Sequence, residues 1–233
     1  MSAPRQILLD TETTGLNPKL GDRVIEIGCI EMRSRRITDN HFHRYLNPER
    51  KSEEGAARVH GISDEFLTDK PKFAEIAKEF VDYVRGAELI IHNAGFDVEF
   101  LDLELGRAGL GRLADHVAGV VDSLALAREL HPGKRNSLDA LCERYAVDNA
   151  QRTLHGALLD ARLLAEVYLA MTRGQDSLVM DLETPAEQAA VAASIDASKL
   201  VVLRATPEEL KVHEKYLDGL AKEAGGKVLW RRA

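Results

Sequence analysis

The segment Ile7-Leu8-Leu9-Asp10-Thr11-Glu12-Thr13-Thr14-Gly15 joins a short apolar strand to a pair of acids. Asp10 and Glu12 stand two residues apart at the end of the strand, so their side chains leave the same face. Two carboxylates this close repel one another unless a cation lies between them. Their hard oxygen atoms suit Mg²⁺ or Mn²⁺, and the segment therefore indicates a divalent-metal site. A polar strand end with solvated acids is the alternative interpretation.

Strand-like and helix-like runs alternate around this segment. Val24 to Met32 and Phe42 to Leu46 predict two more strands, with a polar corner at Ser34-Arg35-Arg36 between them. Three opening strands followed by strands separated by helices predict a mixed five-stranded sheet flanked by helices. The other predicted strands are Leu89 to Ile91 and Val117 to Val121, and the predicted helices are Phe73 to Val84, Phe96 to Arg107, Ser123 to Leu130, Leu138 to Tyr145 and Gly156 to Met171.

Two further acids stand near predicted helix starts. Asp97, in His92-Asn93-Ala94-Gly95-Phe96-Asp97, falls in the first turn of a helix, where it could simply complement the helix dipole. Asp160, in His155-Gly156-Ala157-Leu158-Leu159-Asp160, lies in so apolar a helix that its carboxylate needs a partner. His155 could be a capping or loop histidine. Three acidic stations, the last joined to a histidine, nevertheless favour one shared site.

In order and separation, the three acidic segments resemble the three motifs of the DEDDh exonuclease superfamily. Those motifs read DTETTG, HNAGFD and a histidine followed five residues later by aspartate, all within residues 10–160. The stretches Arg58 to Ile62 and Pro132 to Asp139 resemble the same family. Within the superfamily the chain most resembles the epsilon-subunit family of bacterial DNA polymerase III. This resemblance implies an RNase H-like fold and a 3′–5′ DNA exonuclease that removes mispaired nucleotides during replication.

The resemblance also implies a role for each acid. Asp10 should bridge two divalent cations, Mg²⁺ or Mn²⁺. Glu12 and Asp160 should complete the site on the side of the nucleophile, and Asp97 should support the second cation. His155 would be the general base, because an unperturbed imidazole pKa of about 6.5 suits proton removal near neutrality.

A single-stranded or frayed DNA 3′ end is the expected substrate. Leu16 and Phe96 could wedge against bases, a contact that tolerates any sequence, although both could equally be core residues. The residues expected to contact the terminal nucleotide are Asp10, Glu12, Thr13, Gly15, Leu16, Glu54, His60, Phe96, His155 and Asp160.

Composition limits the class of protein. The 233 residues carry a formal net charge of −7, a poor start for gripping many DNA phosphates through Lys and Arg. No stretch reaches the roughly 20 apolar residues of a membrane span, and the start MSAPRQ lacks the apolar core of a secretory signal. The expected location is therefore the cytoplasm, without membrane contact. Cys29 and Cys142 are interpreted as reduced core residues.

A negative charge is compatible with a DNA substrate if another protein holds the nuclease at the DNA. Gln175-Asp176-Ser177-Leu178-Val179-Met180 resembles a motif that binds the bacterial beta sliding clamp through Gln175, Leu178 and Met180. The frayed end of the preceding helix is the alternative. The Ala-rich stretch 184–198 suits either a flexible tether or a marginal helix.

The end of the chain resembles the tail by which epsilon subunits bind the polymerase alpha subunit. Thr206-Pro207-Glu208-Glu209 predicts a helix start, and Leu210 and Leu217 lie on the apolar stripe of that helix. Trp230 would anchor the interface, or else dock on its own domain. A theta-like accessory subunit is a further candidate partner. The expected domains are an exonuclease at 1–174, a clamp-binding motif and linker at 175–199, and a polymerase-binding tail at 200–233.

Two other functional classes fit part of the pattern. An RNA-trimming exoribonuclease of the same superfamily would carry the same acidic motifs, because nothing in them excludes a 2′-hydroxyl. An inactive scaffold could link clamp and polymerase, but it would have no need of crowded acids. The tail favours replication over RNA trimming.

Overall fold

The computed structural model describes residues 5–152, 154–173 and 205–223. The chain divides into two compact units, residues 1–180 and 181–233. Gln175, Leu178, Met180 and Trp230, together with the stretch 184–198, lie outside the described residues. The predictions made for them are therefore untouched by the structure. Within the described residues, no helix combines the length and apolarity that crossing a membrane requires.

The first unit is built on a mixed five-stranded sheet in the order β3-β2-β1-β4-β5. Strands β1 and β2, and β2 and β3, pair antiparallel, whereas β1 and β4, and β4 and β5, pair parallel. This is the expected RNase H-like arrangement, in which the strand carrying the acidic pair lies at the centre. The strands are β1 (Arg5–Thr13), β2 (Val24–Arg33), β3 (Arg36–Tyr45), β4 (Glu88–Ile91) and β5 (Gly119–Asp122).

Helices cover both faces of the sheet. Leu9 packs in one apolar cluster with residues of α3 and α4, and Leu8 packs in the other with residues of α5, α6 and α7. Alternate residues of β1 therefore face different helices. The helices of this unit are α1 (Glu54–His60), α2 (Asp64–Leu67), α3 (Phe73–Val84), α4 (Ala94–Arg107), α5 (Ser123–Leu130), α6 (Leu138–Tyr145) and α7 (Ala157–Met171), with short 3₁₀ turns at Pro18–Leu20 and Leu113–Asp115.

Some boundaries differ from the sequence-based expectations. The third strand, expected from Phe42, begins at Arg36 because Ser34 and Arg35 take positive φ angles of 49° and 59° and close a tight hairpin. Helices α1 and α2 were not predicted, since α1 has a single buried side chain, His60, and no apolar stripe. Cys29 and Cys142 are free and buried, as expected.

In the second unit, the described residues form one helix, α8 (Pro207–Glu223). Thr206 N–H donates to Glu209 Oε2 at 2.7 Å, and Glu209 N–H donates back to Thr206 Oγ1 at 3.3 Å. This reciprocal capping confirms the predicted helix start. Leu217 is buried, but Leu210 is 53% exposed, so the expected stripe is covered only in part.

Candidate active site

One pocket lies at the carboxyl ends of β1, β4 and β5. All four acids singled out in the sequence line it, and His155 lines it as well. Parallel strands β1 and β4 bring their ends to the same edge of the sheet, which places segments far apart in sequence around one cavity. The full lining is Asp10, Thr11, Glu12, His92, Asn93, Phe96, Asp97, Leu124, Arg128, Lys134, Asn136, Ser137, Leu138, Asp139, Arg152, His155 and Asp160.

The alternation of β1 sorts its polar residues between two helices. Asp10 and Glu12 share the face of Leu8, which packs with α7, whereas Thr11 shares the face of Leu9, which packs with α4. Asp97 stands in the first turn of α4, and its Oδ1 accepts a 2.7 Å hydrogen bond from Thr11 Oγ1. The central strand thus fixes the acid of α4 directly.

Helix α7 approaches β2 unusually closely at Gly28, the residue paired with Asp10 across the ladder. A Cβ at Gly28 would lie 2.2 Å from the backbone carbonyl carbon of Ala157 and the backbone nitrogen of Leu158. The Ala157 N–H also donates to buried Glu26 Oε2 at 3.2 Å. Only glycine permits this approach, which delivers Asp160 of α7 to the acids of β1.

Asp160 on α7 is paired with Arg152, which lies in the loop before that helix. Arg152 Nε donates to Asp160 Oδ1, and Arg152 Nη2 donates to Oδ2, both at 2.6 Å. Arg152 Nη2 also donates to His155 Nδ1 at 2.9 Å, and Nη1 donates to Asp139. This arginine is the partner that a carboxylate in so apolar a helix required.

The loop that carries His155 is held against α1. His155 N–H donates to the Val59 carbonyl at 3.1 Å. Leu154 lies over Gly61, where an added Cβ would come within 2.4 Å of the leucine Cδ1. Helix α1 ends at His60, in the segment expected to touch the nucleotide. The position of the His155 imidazole therefore depends on the segment that ends α1.

Burial and mutual repulsion raise the pKa values of the acids. Burial, and then the charges of Asp97, Glu12 and Asp160, raise the pKa of Asp10 well above its usual value. Burial, Asp160 and Glu26 raise the pKa of Glu12 to about 8, while Arg152 opposes the rise. Burial raises the pKa of Asp97 to about 7 against the hydrogen bond from Thr11. The raised pKa values show that the negative charges of these acids are not fully balanced by nearby positive groups.

The donor set fits divalent cations. Ligand atoms of Glu12, His155 and Asp160 all lie within 4.8 Å of one another. Carboxylate oxygens that repel each other this strongly gain most from a small cation of high charge, and Mg²⁺ and Mn²⁺ prefer such ligands. The chain therefore has residues in place to hold the metal that its sequence implied.

Several residues expected at the nucleotide lie outside the pocket lining. Thr13 and His60 are buried, and Thr13 Oγ1 donates to the Gly15 carbonyl at 2.7 Å. Leu16 is 79% exposed, which excludes the alternative that it is a core residue. Glu54 is exposed on α1 and faces Arg58 at 3.6 Å. The contacts of these residues with substrate stay predictions.

Phe96 does line the pocket, and it also packs on Phe100 with ring centroids 4.9 Å apart. Phe96 is therefore placed both to contact a base, as one interpretation of the sequence had it, and to pack against the core, as the other had it.

Three residues that position the site were missed by sequence reasoning. Thr11 stands between two acids, and its position on the opposite strand face was a usable signal. Arg152 precedes His155 by three residues, and the unpaired acid of α7 called for such a cation. Glu26 carried no local signal, because its contact with Ala157 joins residues 131 apart in the chain.

An RNase H-like sheet with the four expected carboxylates and the expected imidazole around one pocket defines the class of metal-dependent nucleases. The sequence profile of the family described as Exonuclease matches residues 7–168. Among solved structures, exonuclease X in complex with 5′ overhanging duplex DNA has a TM-score of 0.56 at 24% identity, over 73% of this chain and 93% of that one. A zinc-bound complex of E. coli ExoI with single-stranded DNA has a TM-score of 0.66 at 19% identity, over 75% and 42%. These two likenesses concern the fold.

Curated relatives extend the comparison over nearly the whole chain. DNA polymerase III subunit epsilon of Escherichia coli strain K12 is 54% identical over 238 residues, covering 97% of each chain. The subunit of the same name from Rickettsia typhi is 46% identical over 231 residues, covering 96% of this chain and 100% of that one. The chain belongs to the exonuclease family and, within it, to the epsilon subunits of DNA polymerase III. It is a proofreading 3′–5′ exonuclease of DNA replication.

Proposed function

We propose that this exonuclease works with two divalent cations, Mg²⁺ or Mn²⁺, held by its four pocket acids. The supporting observation is the convergence of Asp10, Glu12, Asp97 and Asp160 on one cavity, where burial and repulsion raise the pKa values of the first three. Each of the other three acids raises the pKa of Asp10, so Asp10 interacts with all of them. Asp10 would therefore contribute to the binding of both cations.

When bound, the cations supply an activated water and stabilise the departing 3′ oxygen. The chain itself orients the reaction. Asp97 is aimed by Thr11, Asp160 is delivered by α7, and His155 takes the proton of the attacking water on its ring nitrogen. The water oxygen forms a bond to the terminal phosphorus and the bond to the 3′ oxygen breaks. The products are a 5′-mononucleotide and a strand shortened by one residue with a free 3′-hydroxyl.

The terminal nucleotide enters between Phe96 on α4 and the end of α1. Phe96 offers an aromatic face inside the pocket, and Leu16 offers an exposed apolar side chain from the loop after β1. Both contacts are indifferent to base identity, which suits an enzyme that must remove any mispaired nucleotide. Thr13, Gly15 and His60 are further proposed contacts for the terminal nucleotide. Glu54 is a weaker candidate for such a contact.

The catalytic assignment is tested by substitution in the full chain. Asp10→Ala and Asp160→Ala should abolish Mg²⁺-dependent release of mononucleotides from a frayed 3′ end. His155→Ala should lose most of the rate, by about 10²–10⁴-fold, while Mg²⁺ binding measured by calorimetry survives. Full activity of either acid variant would contradict the assignment. Rates on matched DNA and RNA 3′ ends would show whether a 2′-hydroxyl is accepted.

Its family membership supports a place in the DNA polymerase III core, in the cytoplasm, bound to the polymerase alpha subunit. Residues 200–233 would form the alpha-binding tail, with Leu210, Leu217 and Trp230 as contacts; of these, Leu210 is exposed and Leu217 is buried. Gln175, Leu178 and Met180 would contact the beta sliding clamp within the linker 175–199. A theta-like accessory subunit is a further candidate partner.

Truncation after residue 183 tests the modular organisation. The shortened chain should digest free single strands at the full rate but should no longer co-purify with alpha. Gln175→Ala together with Leu178→Ala should weaken binding to the clamp alone. Loss of nuclease activity on truncation would contradict a separable tail.

A further inference from the structure

Arg152 is the cation in closest contact with the acids of the pocket. Its guanidinium donates to both oxygens of Asp160 at 2.6 Å, and its side chain is only 6% exposed. Ion pairs with Asp160 and Asp139 raise the pKa of Arg152 despite its burial, so its charge is permanent. A bidentate arginine–carboxylate pair in a sheltered position is among the stronger polar contacts in proteins.

A divalent cation would draw on the same carboxylate. Both Asp160 oxygens already accept from Arg152, so a metal would have to share them with the guanidinium. Two positive groups at one carboxylate would also repel each other. The guanidinium and the metal therefore compete for Asp160.

Two other acceptors hold Arg152 beside the site. Asp139 on α6 accepts from Nη1 and is 57% exposed, and His155 Nδ1 accepts from Nη2 at 2.9 Å. Asp139 also lines the pocket, but the proposed function does not use it as a metal ligand, so its pair with Arg152 survives when Asp160 is taken. When Asp160 is taken by metal, Arg152 can therefore keep its contacts with Asp139 and His155.

We propose that Arg152 is a positioning residue that holds Asp160 and exchanges it with the incoming divalent cation, moving onto Asp139 and His155. The inference rests on the proposed function only in taking Asp160 as a metal ligand. Arg152 thereby offsets the repulsion among the acids before metal arrives and sets the metal concentration at which the site fills.

Metal titration of Arg152→Gln tests the exchange. Calorimetry with Mg²⁺ alone should be run near pH 9, because the loss of Arg152 also raises the pKa of Glu12 and protons would otherwise compete. The variant should bind Mg²⁺ about tenfold more tightly than the parent chain, since no guanidinium needs displacing. Unchanged or weaker binding would overturn the proposal. A parent chain that binds no Mg²⁺ would instead refute the proposed metal site itself.

Arg23→Gln provides a matched control. Arg23 makes a comparable two-point pair, with Glu104, at 2.5 and 2.8 Å, and neither residue lines the pocket. Its loss should leave the Mg²⁺ affinity unchanged. Melting in EDTA and in saturating Mg²⁺ gives a second readout. Arg152→Gln should lower Tm in EDTA and regain most of it with Mg²⁺, whereas Arg23→Gln should lower Tm equally in both.

An equal loss of Tm in both conditions for Arg152→Gln would make the arginine merely structural and overturn the exchange. Should that variant fail to fold, Arg152→Lys retains the charge but loses the two-point geometry. Its Mg²⁺ affinity should then exceed that of the parent chain, and equal affinity would count against the proposal.

Discussion

Thr11 Oγ1 donates a 2.7 Å hydrogen bond to Asp97 Oδ1 and so ties the central strand of the sheet to the first turn of α4. The acceptor belongs to a carboxyl group that is almost fully buried. Burial raises the pKa of Asp97, and the hydroxyl opposes that rise by stabilising the ionised form. A threonine without any charge thereby helps to keep a pocket acid available for metal.

Thr11→Val should therefore weaken Mg²⁺ binding by about tenfold at neutral pH, because Asp97 would retain its proton more strongly. Loss of the bond should also cost about 1 kcal/mol of unfolding free energy. Thr11→Ser keeps the hydroxyl and should bind Mg²⁺ like the parent chain. Calorimetric titration of both variants makes the comparison. If the valine and serine variants bind alike, the hydrogen bond has no role at the site.

Gly28→Ala should displace α7 from the sheet. The added Cβ would meet backbone atoms of Ala157 and Leu158 at 2.2 Å, and backbone cannot give way as a flexible side chain can. We expect a loss of about 2–4 kcal/mol in urea unfolding and a clear fall in Mg²⁺ affinity, since Asp160 moves with the helix.

Gly106→Ala in α4 is the companion variant, because an added Cβ there meets nothing within 4 Å. It should change stability by less than about 1 kcal/mol and leave Mg²⁺ binding intact. Normal metal affinity in a folded Gly28→Ala protein would show that the close approach does not position Asp160.

Stability without metal should fall as pH rises from about 5 to about 8. The pKa of Glu12 is raised from 4.5 to about 8 and that of Asp97 from 3.8 to about 7. Between the unfolded and folded values the native chain holds more protons than the unfolded chain, so raising the pH favours unfolding. Each such group contributes a slope of up to about 1.4 kcal/mol per pH unit.

Urea unfolding in EDTA across this range measures the slope. Glu31, whose pKa is lowered to about 2, acts below the window. Desolvation lowers the pKa values of His60, His92 and His131 from 6.5, so these groups act in the opposite direction at the lower end of the window and reduce the slope there. Glu12→Gln should flatten the dependence, and saturating Mg²⁺ should remove or invert it, since metal binds the ionised acids. A stability that rises steadily with pH in EDTA is incompatible with these pKa shifts.

Leu154→Ala should slow catalysis without touching the metal. The leucine packs over Gly61 and, with the bond from His155 N–H to Val59, holds the histidine loop on α1. We expect kcat to fall about tenfold, equivalent to about 1.4 kcal/mol, at an unchanged Mg²⁺ affinity. Leu130→Ala removes a similarly exposed leucine, 43% against 49%, at the end of α5 and should leave kcat unchanged. An equal effect of both substitutions would show that Leu154 does not position the His155 loop for catalysis.

Local patterns were enough to predict most of the fold. Helices Ser123–Leu130 and Leu138–Tyr145 were predicted to the residue, and in the structure Asp122 and Ser137 cap them with their own side chains. Helix α1 escaped prediction, since it is held by its neighbours and lacks an apolar stripe of its own. The start of β3 also escaped, because two non-glycine residues with positive φ close its hairpin.

The acids of the pocket could be named from the sequence because their spacing is local and their motifs are ordered. Their supports could not. The contacts from Thr11 to Asp97 and from Glu26 to Ala157 join residues that only the folded sheet brings together. No sequence pattern indicates that Gly28 on β2 is where α7 approaches the sheet.

The position of β1 at the middle of the sheet should make the part of the molecule that carries Asp10 and Glu12 the last to open. His155 instead sits on an exposed loop that is held to α1 by one backbone bond and one leucine. Hydrogen exchange should consequently show slow, global opening for the amides of Leu8 and Leu9 and fast, local opening around His155. The proposed base would then reposition between turnovers, while Asp10 and Glu12 keep their relative positions on β1.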